Sequence, residues 1–185
     1  MESYVNHFLI ATPKMPDPRF AQTVIYICSH SLEEGAMGVV VNNYLPGIDL
    51  ANVMEGMDIP LPDMVMPKIF LGGPVDHDAG FFLHSAEYGS SEYSLAVTEA
   101  IILSRDPRIL YDIAENKGPL DFLFILGYSG WGPGQLEEEL TRDGWLMLPA
   151  DYDDLFKVSP EDKWRSICKK YGINIALFEE VTGTA

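Results

Sequence analysis

Five consecutive apolar residues, Phe122, Leu123, Phe124, Ile125 and Leu126, limit what this chain can fold into more than any other stretch. A strand that alternates apolar and polar residues can leave one face in water, but an unbroken apolar run has to be covered on both faces. The run therefore reads as a central strand. Behind it Gly127, Gly130, Gly132 and Gly134 fall within eight residues, which lets the backbone take positive φ or approach another segment closely, and a loop is expected there. Pro133 suits the first turn of a following helix, and Glu137, Glu138 and Glu139 complement the positive end of its dipole. Leu136 and Leu140, four apart, give that helix an inward face.

Strand and turn signals fill most of the remaining chain. Residues 7–12 form a first strand that the proline-rich stretch 13–18 ends. Residues 23–30, rich in β-branched and aromatic side chains, and 36–42 form a hairpin about Ser31 to Gly35. Leu50, Val53, Met54 and Met57 keep helical spacing behind Asp49, a suitable N-cap. Residues 59–67 read as loop, 68–71 and 81–84 as short strands around Gly72, Gly73 and Pro74, and 93–97 as another. Ser104 or Asp106 caps a helix whose inner face is Ile109, Leu110, Ile113 and Ala114, with Gly118-Pro119 as its stop. Residues 145–148 are a strand, and Asp151, Asp153 and Asp154 make a solvated turn. Ser159 caps a last helix with Trp164, Ile167, Cys168 and Tyr171 as its inward stripe and Gly172 as its end. The tail 183–185 is expected to fray.

Strands outnumber helices and arrive in hairpin groups, which does not fit a doubly wound parallel sheet. The pattern predicts an α+β fold with a mixed, largely antiparallel sheet and helices packed around it. With 185 residues, no internal repeat and no linker, residues 1–185 read as a single domain able to bury a sizeable core.

Formal net charge is −16, from 28 acidic against 12 basic residues. That balance opposes unaided binding to nucleic acid or an anionic membrane, both of which draw on clustered Lys and Arg. Two cysteines, Cys28 and Cys168, are too few for a disulfide scaffold. No basic, apolar leader and no apolar run of about 20 residues is present, so a cytoplasmic protein is expected.

Candidate chemistry is sparse. The glycine stretch is not a phosphate cradle, because no nucleotide-loop motif can be written onto it and three glutamates would repel an anion. Cys28 and His30 lie two apart on a strand and so share a face, which makes a thiolate–imidazole pair conceivable. A separation of about 7 Å is long for a direct hydrogen bond, and a buried thiol is the plainer reading. Cys168, on its helix stripe, reads as core. His30, His77, His84, Asp76 and Asp78 could in principle meet at a metal, but no HExxH or paired CxxC spacing supports it. No metal or cofactor is expected. Loops at strand ends commonly hold ligands, which makes Gly72, Gly73 and Pro74 together with Gly130, Trp131 and Gly132 the expected working surface, joined by Asn42. Trp131 either plugs the core or offers a stacking face. Gln135 either orients a ligand or braces the loop, and bracing is favoured.

Taken together, F-L-I-A-T-P-K-M-P-D-P-R-F (8–20), T-V-I-Y-I-C-S-H (23–30), G-A-M-G-V-V-V-N (35–42), G-G-P-V (72–75), G-F-F-L-H (80–84) and G-Y-S-G-W-G-P-G-Q-L-E-E-E (127–139) resemble the bacterial AlgH/YqgE family over nearly the whole chain. Asn43-Tyr44 stands where that family usually has Arg-Pro, and Ala79 where an arginine commonly precedes G-F-x-L-H. The resemblance implies an α+β fold with a branched, partly barrel-like sheet surrounded by helices. It brings a label of transcriptional regulator and no catalytic residues. The expectation is a non-enzymatic regulator acting through a protein or small-ligand partner; the alternative is an enzyme using Cys28 and His30, or a site based on His84.

Overall fold

The computed structural model describes residues 3–174. In chain order these contain β1 (His7–Ala11), β2 (Val24–Ser31), β3 (Gly35–Val40), β4 (Tyr44–Asp49), α1 (Leu50–Gly56), β5 (Lys68–Leu71), β6 (Val75–Ser85), β7 (Ser94–Ala96), β8 (Ile101–Ser104), α2 (Arg108–Ala114), β9 (Phe122–Trp131), α3 (Gln135–Leu140), β10 (Trp145–Pro149), α4 (Tyr152–Phe156) and α5 (Pro160–Lys170). The strands run in the order β10-β1-β2-β3-β9-β6-β8-β7, and the sheet curls into a half-barrel with the helices around it.

The apolar run lies in β9, and β9 is where the sheet branches. Along one edge it pairs with β6. Along the other, Phe124, Ile125 and Leu126 pair in parallel with β5, while Ser129, Gly130 and Trp131 pair antiparallel with β3. The change of partner needs three chains to pass within backbone contact, and glycine permits it. A Cβ on Gly72 would stand 2.3 Å from the carbonyl oxygen of Gly127, and one on Gly73 would stand 2.3 Å from the backbone of Tyr128. Gly127 itself takes φ of 70°. The Gly72 carbonyl then accepts from Val40 N at 2.9 Å and from Ser129 Oγ at 3.1 Å, tying β3, β5 and β9 together.

Both faces of β9 are covered, as an unbroken apolar strand demands. Leu123 and Ile125 join a cluster with Phe8, Tyr26, Phe81, Trp164 and Ile167. Phe122, Phe124 and Leu126 face a second cluster with Leu50, Met54, Ile109 and Ile113 from α1 and α2. β2 behaves likewise: Val24, Tyr26 and Cys28 share the first cluster, while Ile25 and Ile27 join a third with Trp131, Leu136 and Trp145. Each fully buried Leu, Ile or Phe contributes about 1.5–3 kcal/mol.

Several expectations need correction. Residues 127–131 are strand rather than loop, because β3 supplies a partner beyond the glycine. The strand expected at 81–84 extends over Val75–Ser85. Tyr44–Asp49 and Ile101–Ser104 are strands that local pattern did not show; β4 is an edge strand in register with β5 only at its two ends, which tolerates Pro46 and Gly47. Asp151, Asp153 and Asp154 open a helix rather than a solvated turn: Asp151 accepts from Asp153 N, and Asp154 is buried. Tyr171 caps α5 with its ring exposed rather than pointing inward. The tail at 183–185 lies outside the described residues.

Candidate functional site

The end of β9 opens onto a cleft of about 550 Å³. One wall carries Trp131, the last residue of β9, and Trp145, the first of β10. Both indole Nε1 atoms donate to a single carboxylate oxygen, Glu139 Oε2, at 3.0 and 3.2 Å. Glu139 Oε1 accepts from Gln135 Nε2 at 2.9 Å, and Gln135 Oε1 accepts from Gly132 N at 3.0 Å. Glu139 lies four residues after Gln135 on α3, so the helix itself sets this pair. Three donors converge on one carboxylate, and charge-assisted bonds of this kind are about twice as strong as neutral ones.

The facing wall is the segment between β1 and β2, with Met15, Pro16 and Phe20. Phe20 meets Trp145 edge-on at 5.7 Å between ring centroids. The segment is held from behind. Asp17 accepts from Arg19 N and starts a short 3₁₀ turn, and Thr23 Oγ1 donates to the Phe20 carbonyl at 2.8 Å. Asn42 Oδ1 accepts from Val24 N at 2.8 Å while its Nδ2 donates to the Gln22 carbonyl at 2.9 Å. The rim bears Lys14 paired with Asp143, Arg19 with Asp17 and Arg142 with Glu138. These pairs are solvent-exposed and contribute little to stability.

The structure distributes the sequence-derived candidates over three tasks. Pro74, Gly130, Trp131 and Gln135 line the cleft. Gly72 and Gly73 serve the sheet branch, with Gly73 also edging an adjoining notch of about 250 Å³ next to Phe20 and His77. Asn42 braces the β1–β2 segment, and Gly132 anchors Gln135. Glu139, Trp145 and Phe20 were missed as site residues. The four-residue step from Gln135 to Glu139 was visible, but the meeting of two tryptophans on one carboxylate is a tertiary fact.

Cys28 and His30 do not form a pair. The register with β3 shifts between Ile27 and Ser29, so Cys28 is the extra residue of a bulge and strict alternation is lost. Cys28 packs beside Tyr26, and burial pushes its thiol far above the ordinary range. His30 packs instead on Tyr4, at 4.5 Å between ring centroids. Its Nδ1 accepts from Tyr4 N at 3.2 Å, which leaves Nε2 to carry the proton and donate to Glu137 Oε1 at 2.7 Å. Burial is the largest single influence on Glu137 and opposes its ionisation, but the His30 bond and a backbone N–H bond together outweigh it and hold that carboxyl below its ordinary range. Cys168 is buried in α5 and its thiol is pushed up to about 11, again by burial. Among the described residues no three His, Cys, Asp or Glu side chains are grouped to hold a metal ion.

A curled, branching α+β sheet with a ring-lined cleft at the end of its branching strand defines the structural class. Within that class the chain belongs to the family described as AlgH-like, whose model matches residues 8–176. A UPF0301 protein of Thioalkalivibrio sulfidiphilus is 40% identical over 184 residues, 99% of this chain and 97% of that relative. Another from Ruegeria pomeroyi is 41% identical over 96% of each chain. The solution structure of AlgH from Pseudomonas aeruginosa superposes with a TM-score of 0.76 at 40% identity, covering 99% of this chain and 95% of that one. Protein DIP2367 from Corynebacterium diphtheriae gives a TM-score of 0.72 at 20% identity over 92% and 88% of the two chains, a likeness of fold alone.

Proposed function

We propose that this protein is a non-enzymatic cytoplasmic regulator that works by taking an apolar or aromatic group of a partner protein or small ligand into the cleft that Phe20, Trp131 and Trp145 line together. The cleft carries this reading. Glu139 engages both indole N–H groups, so the small edges that the two largely buried rings show to the cleft are apolar rather than donors, and Met15, Pro16, Phe20 and Pro74 supply most of the apolar lining. Concave sites lined by aromatic and aliphatic side chains with a few fixed polar groups are the usual form of a binding pocket. The rim cations are already paired with carboxylates, which favours contact over charge as the source of affinity.

Any influence on transcription then runs through that partner, since the charge of −16 opposes direct contact with DNA. The test is capture from native cytosol, with mass analysis of bound proteins and small molecules, on the natural chain and on Phe20→Ala. We expect Phe20→Ala to lose the captured species while keeping its melting temperature within a few degrees. If capture is unchanged in the folded variant, the cleft is not the working surface.

A further inference from the structure

A second cavity, of about 300 Å³, lies on the other side of the molecule's branch strand, under α2. It is lined by His84, Tyr88, Ser91, Ser94, Ser104, Asp106, Arg108 and Asp112, among others. Alternation along β6 puts His84 on the same face as Phe82, the face that Ile109 and Ile113 of α2 cover. The imidazole is fully buried. Its Nδ1 lies 2.9 Å from the Ser85 carbonyl, which can only accept, so Nδ1 carries the proton and Nε2 presents a lone pair. That Nε2 is buried and has no hydrogen-bond partner. An acceptor left so is expensive, and buried polar groups without partners call for an explanation.

The surrounding groups say what would satisfy it. Tyr88 stands at 89° to the His84 ring and spends its hydroxyl on Asp112. Ser94 Oγ donates to Ser104 Oγ at 2.9 Å, and Ser104 Oγ in turn accepts from Asp106 N at 3.2 Å. Asp106 is matched by Arg108, which holds both its oxygens through Nε and Nη2. Asp112, in contrast, is hydrogen-bonded by a neutral phenol, and Lys117, which feels its charge from outside the lining, is paired with Glu115. Burial keeps the imidazole neutral by lowering its pKa. With Asp106 and Arg108 cancelling, the lining is left with one negative charge, on Asp112, and one buried acceptor without a partner, His84 Nε2. An anion would be repelled, and an apolar molecule would leave the Nε2 lone pair unmet.

We propose that this cavity is a binding site for a small organic cation with several N–H donors, a primary diamine or an amidine, whose N–H bonds His84 Nε2 while its charge faces Asp112. The site is separate from the Trp131–Trp145 cleft and stands or falls independently of it. Wild-type protein labelled with ¹⁵N is titrated with 1,4-diaminobutane while long-range ¹H–¹⁵N correlation follows the imidazole nitrogens, assigned through bonds so that no His84 variant is required. We expect the His84 Nε2 resonance to move saturably while those of His7, His30 and His77 stay in place. Glycerol and inorganic phosphate at equal concentration leave it unmoved, and Asp112→Asn, which keeps an acceptor for Tyr88, weakens the diamine about tenfold, the ratio that 1.4 kcal/mol gives. An Nε2 unmoved throughout a millimolar titration means the cavity holds only water and overturns the proposal. So does an equal response to glycerol, or an unchanged affinity in folded Asp112→Asn.

Discussion

At the scale of single residues, Glu139 does most to shape the cleft. Its carboxylate is the shared acceptor of Trp131, Trp145 and Gln135. Truncation leaves two largely buried indole N–H groups without a partner, and each unsatisfied donor costs about 1–3 kcal/mol. Glu139→Ala is therefore expected to lose roughly 2–6 kcal/mol in urea unfolding, accompanied by a change in tryptophan emission as the two rings are released. An unfolding midpoint within error of the parent would show that the three-way bond is not formed in solution. Lys163 poses the same kind of demand: it is buried, and its Nζ donates to the carbonyls of Asp154, Leu155 and Val158. Burial lowers its pKa to about 8.

The two thiols set a pH dependence of definite sign. Cys28 and Cys168 both have folded pKa values raised by burial, the second to about 11. A group raised in the folded state stabilises fully below its unfolded pKa, near 8.5, and the contribution is lost as pH rises above it, since only the unfolded thiol releases its proton. Lys163 works the other way over part of this range, because its lowered pKa removes a penalty as pH rises past about 8. The comparison that isolates the thiols is the double variant Cys28→Ala, Cys168→Ala against the parent. Between about pH 8.5 and 10.5, the parent's stability is expected to fall by more than the variant's. Parallel curves would mean that the thiols are not held protonated by the fold.

At the scale of elements, the apolar run at 122–126 was legible because its period matches only a strand covered on both faces, and β2 declared itself by β-branched content. The glycines after it were legible as a place of close approach but not as strand. Gly127 looks like the start of a loop until β3 is seen pairing with Ser129 to Trp131. β4 was hidden because Pro46 and Gly47 break every local strand signal, and pairing at its two ends with β5 is what defines it. The bulge at Cys28 left no mark in the sequence, which is why a same-face argument for Cys28 and His30 failed. Two measurements check this level. Amides of Phe124, Ile125 and Leu126 are expected to exchange only on global unfolding, and those of Ser94 to Ala96, in a three-residue edge strand, far sooner. Gly72→Ala, whose Cβ would enter the Gly127 carbonyl, is expected to cost more than about 2 kcal/mol in urea unfolding. Parent-like stability would place the branch elsewhere.

At the scale of the whole molecule, charge decides which partners are admitted. With 28 acidic and 12 basic residues, a nucleic acid would have to be drawn by a basic patch assembled in three dimensions. The cations of the cleft rim do not form one, since Lys14, Arg19 and Arg142 are each engaged by a carboxylate. Affinity for DNA comes largely from phosphate neutralisation and counterion release, and paired cations release few counterions. We therefore expect no sequence-specific DNA binding by this chain alone near 0.15 M salt, about the ionic strength at which such complexes normally operate. A mobility-shift titration checks it. Sub-micromolar binding that weakens steeply with salt would refute the expectation and point to a basic surface outside the residues named above, whereas binding seen only when a captured partner is added back would place the DNA contact on the partner and leave the Phe20–Trp145 cleft as the contact that recruits it.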